Sequence, residues 1–201
     1  PYSLPHLVEW LASFRAALDL PQMMLVGHSF GGALATSFTL FYPEDVSRLL
    51  LVAPAILAGE RIPDTLKKMA ISLGLVDLGS SLSQLQVSLT QQSGRAFYDP
   101  DSIDESVWQR RITAFSDARA TGDVIKALAF QNMEPQLSEV KQPVYIIWGE
   151  NDPVLPVAQA QRIARALPDA RLVIWDECGH IPYLEKQEAF LATARVFFQG
   201  E

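Results

Sequence analysis

The stretch Gly27-His28-Ser29-Phe30-Gly31-Gly32 constrains this chain more than any other. It stands where an apolar run, Gln22 to Val26, stops and a helical pattern, Phe30 to Tyr42, begins. A serine at so sharp a strand-to-helix turn sits in a strained backbone, with its Oγ lifted clear of the sheet. Small residues at 27 and 31 suit the close backbone approach that such a turn imposes. The helix that follows sets free N–H groups and a partial positive charge beside the hydroxyl, where an anion is stabilised. The G-x-S-x-G pattern alone recurs by chance in unrelated chains. The strand before it, the helix after it and the extra Gly32 make it a nucleophile elbow.

The rest of the chain supplies the frame for that turn. Ser3 is placed to cap a helix whose apolar positions Leu7, Leu11, Phe14 and Leu18 lie three and four apart, with Pro5 in its first turn. Pro43 stops the helix that runs to Tyr42. Arg48 to Ala53 is a second continuous apolar run, as expected of a parallel strand buried on both faces, and completes a βαβ unit. Strand signals return at Val144 to Gly149 and Arg171 to Trp175, with a helix from about Val157 to Leu167 between them and a last helix from Leu184 to Phe198. From Ile56 to Glu139 apolar residues recur at helical spacing among turn signals at Gly59, Gly79, Gly94, Asp99-Pro100 and Gly122. This reads as a helical insertion, 56–139, between core segments 1–55 and 140–201.

The 201 residues suffice for one domain with a real core, and 49% apolar against 19% charged argues for a compact globule. A net charge of −7 argues against nucleic-acid and anionic-membrane partners. Apolar stretches such as Leu49 to Ala58 are broken by proline and too short to span a bilayer. No secretion signal opens the chain, and the single Cys178 fits a reducing compartment, so a cytoplasmic location is expected. The chain opens with Pro1 rather than Met, directly into a helical pattern, which suggests a processed product or a piece of something longer.

A serine hydroxyl needs a base within hydrogen-bond reach. Of three histidines, His6 lies on the first helix, and His28, beside the serine, should turn its ring away from the Oγ. By elimination the base is His180, in the loop Cys178-Gly179-His180-Ile181-Pro182 beyond the last strand. An acid must fix the tautomer of that imidazole. Asp152 leads, in Trp148-Gly149-Glu150-Asn151-Asp152-Pro153, with Glu150 the runner-up because it is two residues nearer the strand. Both loops follow carboxyl ends of parallel strands, the edge where such sheets carry their sites. No carboxylate follows Ala53, and Asp176 and Glu177 read as solvated loop charges. The order Ser29, Asp152, His180 matches one known triad arrangement.

With these stretches in view the chain resembles the alpha/beta-hydrolase superfamily, in its cap-bearing, carboxylesterase-like branch. The matching stretches are Leu25 to Gly32, Leu50 to Pro54, Trp148 to Asp152 with Pro156, and Gly179 to Pro182. The resemblance implies a partial alpha/beta-hydrolase fold: a mostly parallel sheet flanked by helices, with a helical cap insertion. It implies Ser29 as nucleophile, His180 as base, Asp152 as orienting acid and the Phe30 N–H as an oxyanion donor. Dehalogenase and epoxide-hydrolase relatives carry an aspartate where this chain has Ser29. Family members also begin with further strands and a loop that supplies a second oxyanion donor, neither of which is present here. Losing one such donor typically costs on the order of 10²–10³ in turnover. The strand 22–26 would then be an exposed apolar edge, which invites association. The expectation is a fragment, an oligomer or a chain complemented by an N-terminal segment.

The insertion would roof the pocket. Its apolar residues Leu66, Met69, Ile71, Leu73, Leu75, Leu82, Phe97, Phe115 and Leu128 are mostly its own core, and the remainder would favour a small apolar or aromatic ester. Arg95, Arg110, Arg111 and Arg119 are mostly solvated, though one could meet a substrate carboxylate. Trp10, Trp108, Trp148 and Trp175 read as packing, and Cys178 as a small buried hydrophobe. With no metal cluster or phosphate loop, no cofactor and no metal are expected. The reading is ester hydrolysis through an acyl-enzyme. Its rivals are carbon–carbon bond hydrolysis of the meta-cleavage type, with the same triad, and a non-catalytic ligand-binding protein on the same fold. The resemblance often places Asn before the serine in the carbon–carbon enzymes, so His28 leans towards esters.

Overall fold

In the computed structural model, residues 3–57, 96–117 and 132–199 are described. Among these residues four strands form one parallel sheet in the order β1 (Met23–His28), β2 (Val46–Val52), β3 (Val144–Gly149) and β4 (Ala170–Trp175). All four lie within two residues of the apolar runs that announced them; β2 and β3 are covered on both faces and so have no polar face to blur the signal, whereas β1 and β4 keep apolar residues even where they are exposed. The side-chain alternation of a strand sorts β2 and β3 onto two cores. Leu49, Leu51, Val144, Ile146 and Trp148 enter the larger cluster, whereas Leu50, Tyr145 and Ile147 pack with Ala194 and Phe197 on the opposite face.

Helices cover the larger face: α1 (Leu4–Ala17), α2 (Phe30–Phe41) and α4 (Ala158–Ala166). Between them in the chain α3 spans Glu105–Asp117. The other face is covered by α6 (Gln187–Gln199), preceded by the single turn α5 (Pro182–Glu185). The expected last helix from Leu184 is therefore two helices, broken at Lys186, whose ψ of 53° leaves the helical region. That break turns the chain from the histidine loop onto the sheet.

The first helix differs from expectation in which stripe it buries. Leu4 and Val8 are buried and Leu11 and Ala12 pack against the core, whereas Phe14 and Leu18 are exposed. Trp10, expected to be packing, stacks on Phe14 with ring centroids 5.4 Å apart, and both face solvent. Ser3 makes no side-chain cap; only its carbonyl accepts, from the Leu7 N–H at 3.0 Å.

Strand β1 stands at the sheet edge and pairs among the described residues only with β2. Met23 and Leu25 pack on the larger core, while Met24 and Val26 on the other face are 41% and 49% exposed. Among the described residues β1 thus shows the apolar edge expected from the sequence. The helical insertion falls mainly on residues 58–95 and 118–131, outside the described residues. With it go Leu66, Met69, Ile71, Leu73, Leu75, Leu82, Leu128, Arg95 and Arg119, and the side chains of Trp108, Arg111 and Phe115.

Candidate active site

The carboxyl ends of β1, β3 and β4 bring the sequence-predicted residues to one edge of the sheet. Ser29 follows β1 and has φ 52° and ψ −117°, a conformation a side chain rarely adopts. Hydrogen bonding holds it there: its N–H donates to the Val52 carbonyl at 2.9 Å, and its carbonyl accepts from the Ala55 N–H at 2.9 Å and the Gly32 N–H at 3.0 Å. A Cβ on Gly27 would lie 2.5 Å from the Gly31 carbonyl oxygen, and one on Gly32 would lie 2.6 Å from the Pro54 Cβ. The expectation for Gly31 was different, since a Cβ there meets nothing within 4 Å among the described residues. Gly27 and Gly32 are the two positions at which the turn has no room. Helix α2 begins at Phe30, so its first amides lie beside Ser29.

The acid and the histidine meet directly. His180 Nδ1 lies 2.7 Å from Asp152 Oδ2, with the two side chains 6% and 0% exposed. The other carboxylate oxygen, Oδ1, accepts from the Val154 N–H at 2.8 Å and the Leu155 N–H at 2.9 Å. A carboxylate so held keeps Nδ1 protonated and leaves the Nε2 lone pair free to act as a base. The runner-up Glu150 is exposed, as are Asp176 and Glu177. The two loops interlock: Glu150 N–H donates to the Trp175 carbonyl at 2.8 Å and Asn151 N–H to the Cys178 carbonyl at 3.0 Å. A Cβ on Gly149 would come within 2.1 Å of the Gly179 carbonyl oxygen, so the approach needs glycine.

Among the described residues the Ser29 hydroxyl forms no hydrogen bond to His180; the neighbour of the serine makes the link instead. His28 Nε2 donates to the His180 carbonyl at 2.8 Å, and the two rings stand 4.8 Å apart. With Nε2 protonated, Nδ1 of His28 faces the Tyr183 hydroxyl at 3.4 Å as an acceptor. The ring is thus engaged by the histidine loop and Tyr183, a structural task that the sequence did not disclose. His6, on α1, is exposed.

Buried at 0% exposure, Cys178 has its thiol pushed up to about 12, by burial first and by the Glu185 carboxylate second. The neutral thiol behaves as the apolar group the sequence suggested. Beside His180, Phe97 and Ala96 pack with Ile181 in a third apolar cluster. Arg110, of the four arginines considered for a substrate carboxylate, is exposed and approaches Ser106 Oγ at 3.4 Å.

One residue was missed from the sequence. Glu185 accepts from three backbone amides around the histidine loop: Tyr98 at 2.7 Å, Gly179 at 2.8 Å and Ile181 at 3.1 Å. An acidic residue in the first helical turn after a candidate base was the available signal.

Comparison with known proteins sets this geometry in a wider frame. The family model described as the alpha/beta hydrolase fold matches residues 1–187. The chain is 28% identical over 193 residues to a 2-hydroxy-6-oxo-6-phenylhexa-2,4-dienoate hydrolase of Comamonas testosteroni, a match covering 91% of this chain and 65% of that protein. It is 29% identical over 178 residues to a pimeloyl-[acyl-carrier protein] methyl ester esterase of Nitrosomonas europaea, covering 83% of this chain and 67% of that one. It thus spans about two thirds of the length of these curated relatives. Among solved structures, an esterase from Exiguobacterium antarcticum superposes with a TM-score of 0.81 at 22% identity, covering 98% of this chain and 74% of that one, a likeness of fold. No described helix is long and apolar enough to cross a membrane.

Proposed function

This chain belongs to the alpha/beta hydrolase family, and from that premise we propose that it is a serine hydrolase of small carboxylic esters. The observation that carries the reading is the buried Asp152–His180 pair at 2.7 Å, at the same sheet edge as a serine with a positive φ. A buried aspartate that serves only structure has no need of an imidazole whose second nitrogen is left basic. The ester-cleaving relative in Nitrosomonas supports the reaction class.

In this reading Ser29 Oγ attacks the ester carbonyl carbon while His180 Nε2 takes its proton. The resulting imidazolium is stabilised by Asp152, and the oxyanion by the Phe30 N–H at the start of α2. Collapse breaks the acyl–oxygen bond, and Nε2–H protonates the departing alcohol. Water then attacks the acyl-enzyme, giving its proton to Nε2, and the acid leaves as Ser29 is regenerated. A second oxyanion donor comes in this proposal from a complementing segment or a neighbouring chain. In this proposal residues 56–139 would supply a cap between core segments 1–55 and 140–201 that favours an apolar or aromatic substrate group, with Phe97 beside the histidine loop.

A second reading is favoured by the Comamonas relative, named as a dienoate hydrolase: hydrolysis of a carbon–carbon bond with the same three residues. The test is to offer a short-chain p-nitrophenyl ester and a 2-hydroxy-6-oxodienoate to the parent chain and to Ser29→Ala. Ester turnover that disappears in Ser29→Ala supports the first reading. Serine-dependent turnover of the dienoate alone supports the second. Equal turnover by Ser29→Ala and the parent would overturn both.

A further inference from the structure

The carboxylate of Glu185 gathers amides from three different places in the fold. Oε1 accepts from Ile181 and Oε2 from both Gly179 and Tyr98. Gly179 and Ile181 are the two residues flanking His180. A carboxylate that merely capped α5 would serve the Ile181 amide, at the start of that helix; the other two donors lie outside it. The bonds come in addition to one from His180 N–H to the Ala96 carbonyl, at 2.7 Å. Gly179 makes the contact with 96–98 sterically feasible, because a Cβ there would fall 2.6 Å from the Ala96 oxygen and 2.7 Å from the Tyr98 nitrogen.

We infer that Glu185 is a positioning residue for His180. It clamps the histidine loop from both sides and fastens it to the segment 96–98, and so fixes the direction in which the imidazole projects from its backbone. Asp152 holds the ring at Nδ1, but a ring held only there is free to swing about that single bond as the loop moves. Glu185 removes that freedom through the backbone, without touching substrate. The inference rests on the reading of His180 as the base.

The test combines two readouts on the parent, Glu185→Ala, Glu185→Gln and His180→Gln. The first is the low-field proton resonance of the imidazole Nδ1–H bonded to Asp152, assigned by its disappearance in His180→Gln. The second is kcat and KM for the p-nitrophenyl ester, with circular dichroism reporting the folded fraction. Glu185→Ala is expected to broaden or lose the proton and to lower kcat on the order of 10²-fold, the scale of a misplaced catalytic group, with a smaller change in KM. Glu185→Gln, which keeps one accepting oxygen, is expected to recover part of both and guards against a misfolded alanine variant. A sharp, unshifted proton with parental kcat in either folded variant would overturn the positioning role. Parental hydrolysis by His180→Gln would instead overturn the reading on which the inference rests.

Discussion

Asp152 holds His180 from a position that the chain has already committed: one carboxylate oxygen meets Nδ1 at 2.7 Å, and the other is fixed by the amides of Val154 and Leu155. The acid is thus immobilised by its own loop before it orients the imidazole. Glu150, two residues earlier, has no such seat and faces solvent.

This division between the two acids yields a direct comparison. Asp152→Asn should reduce kcat by about 10⁴-fold, because an amide at that site favours the wrong imidazole tautomer. Glu150→Gln should leave turnover within a factor of about two of the parent, as for an exposed charge off the site. Steady-state ester hydrolysis by both variants checks the assignment, and a reversed pattern would move the acid to Glu150.

The three elbow glycines should separate by stability. Gly27→Ala and Gly32→Ala force a Cβ into backbone or Pro54 at 2.5–2.6 Å, and each should cost about 1–3 kcal/mol or more. Gly31→Ala places its Cβ where no described residue lies within 4 Å, within α2, and should be neutral or stabilising by up to about 1 kcal/mol. Urea denaturation of the three variants is the measurement; a Gly31→Ala as damaging as Gly27→Ala would contradict the geometry.

The open edge of β1 predicts association. Met24 and Val26 present an apolar face beside a strand edge with no partner among the described residues, and natural edges are kept apart by charge. Val26→Lys should shift the chain towards smaller species in light scattering at equal concentration. A parent that is already a monodisperse monomer would show that the edge is not sticky.

Burial should make Cys178 inert. Iodoacetamide near pH 8 should modify it appreciably only once denaturant is added, since the thiolate is the reactive form. The sign of the pH dependence follows from the same shift. The folded thiol titrates near 12 against an ordinary value of 9.0, so its contribution to stability is intact below pH 9 and is lost as pH rises towards 12. Cys178→Ala should therefore lose less stability than the parent across that interval, as followed by chemical denaturation at each pH.

The sheet and its site edge were legible because each strand is written as an apolar run, in the buried β2 and β3 and in the partly exposed β1 and β4 alike, and because Ser29, Asp152 and His180 each follow one. What the sequence hid has physical causes. The stripe of α1 was misplaced because that helix carries apolar residues on two faces, Leu4 and Val8 on one and Trp10, Phe14 and Leu18 on another, and only packing chooses between them. The break at Lys186 carries no glycine or proline to mark it. Glu185 and His28 act through backbone groups of the histidine loop, and contacts of that kind depend on how loops meet in space. Gly31 matched a motif whose steric demand falls on its neighbours.

The most direct test of the central claim is covalent labelling by a fluorophosphonate, read as intact mass and mapped by peptide analysis. Labelling requires an activated nucleophile and not merely a pocket. One adduct on Ser29 in the parent, none in Ser29→Ala and a strongly slowed reaction in His180→Gln is the predicted result. A parent that stays unlabelled, or a Ser29→Ala that labels as fast, would contradict the account of Ser29 as a nucleophile driven by His180.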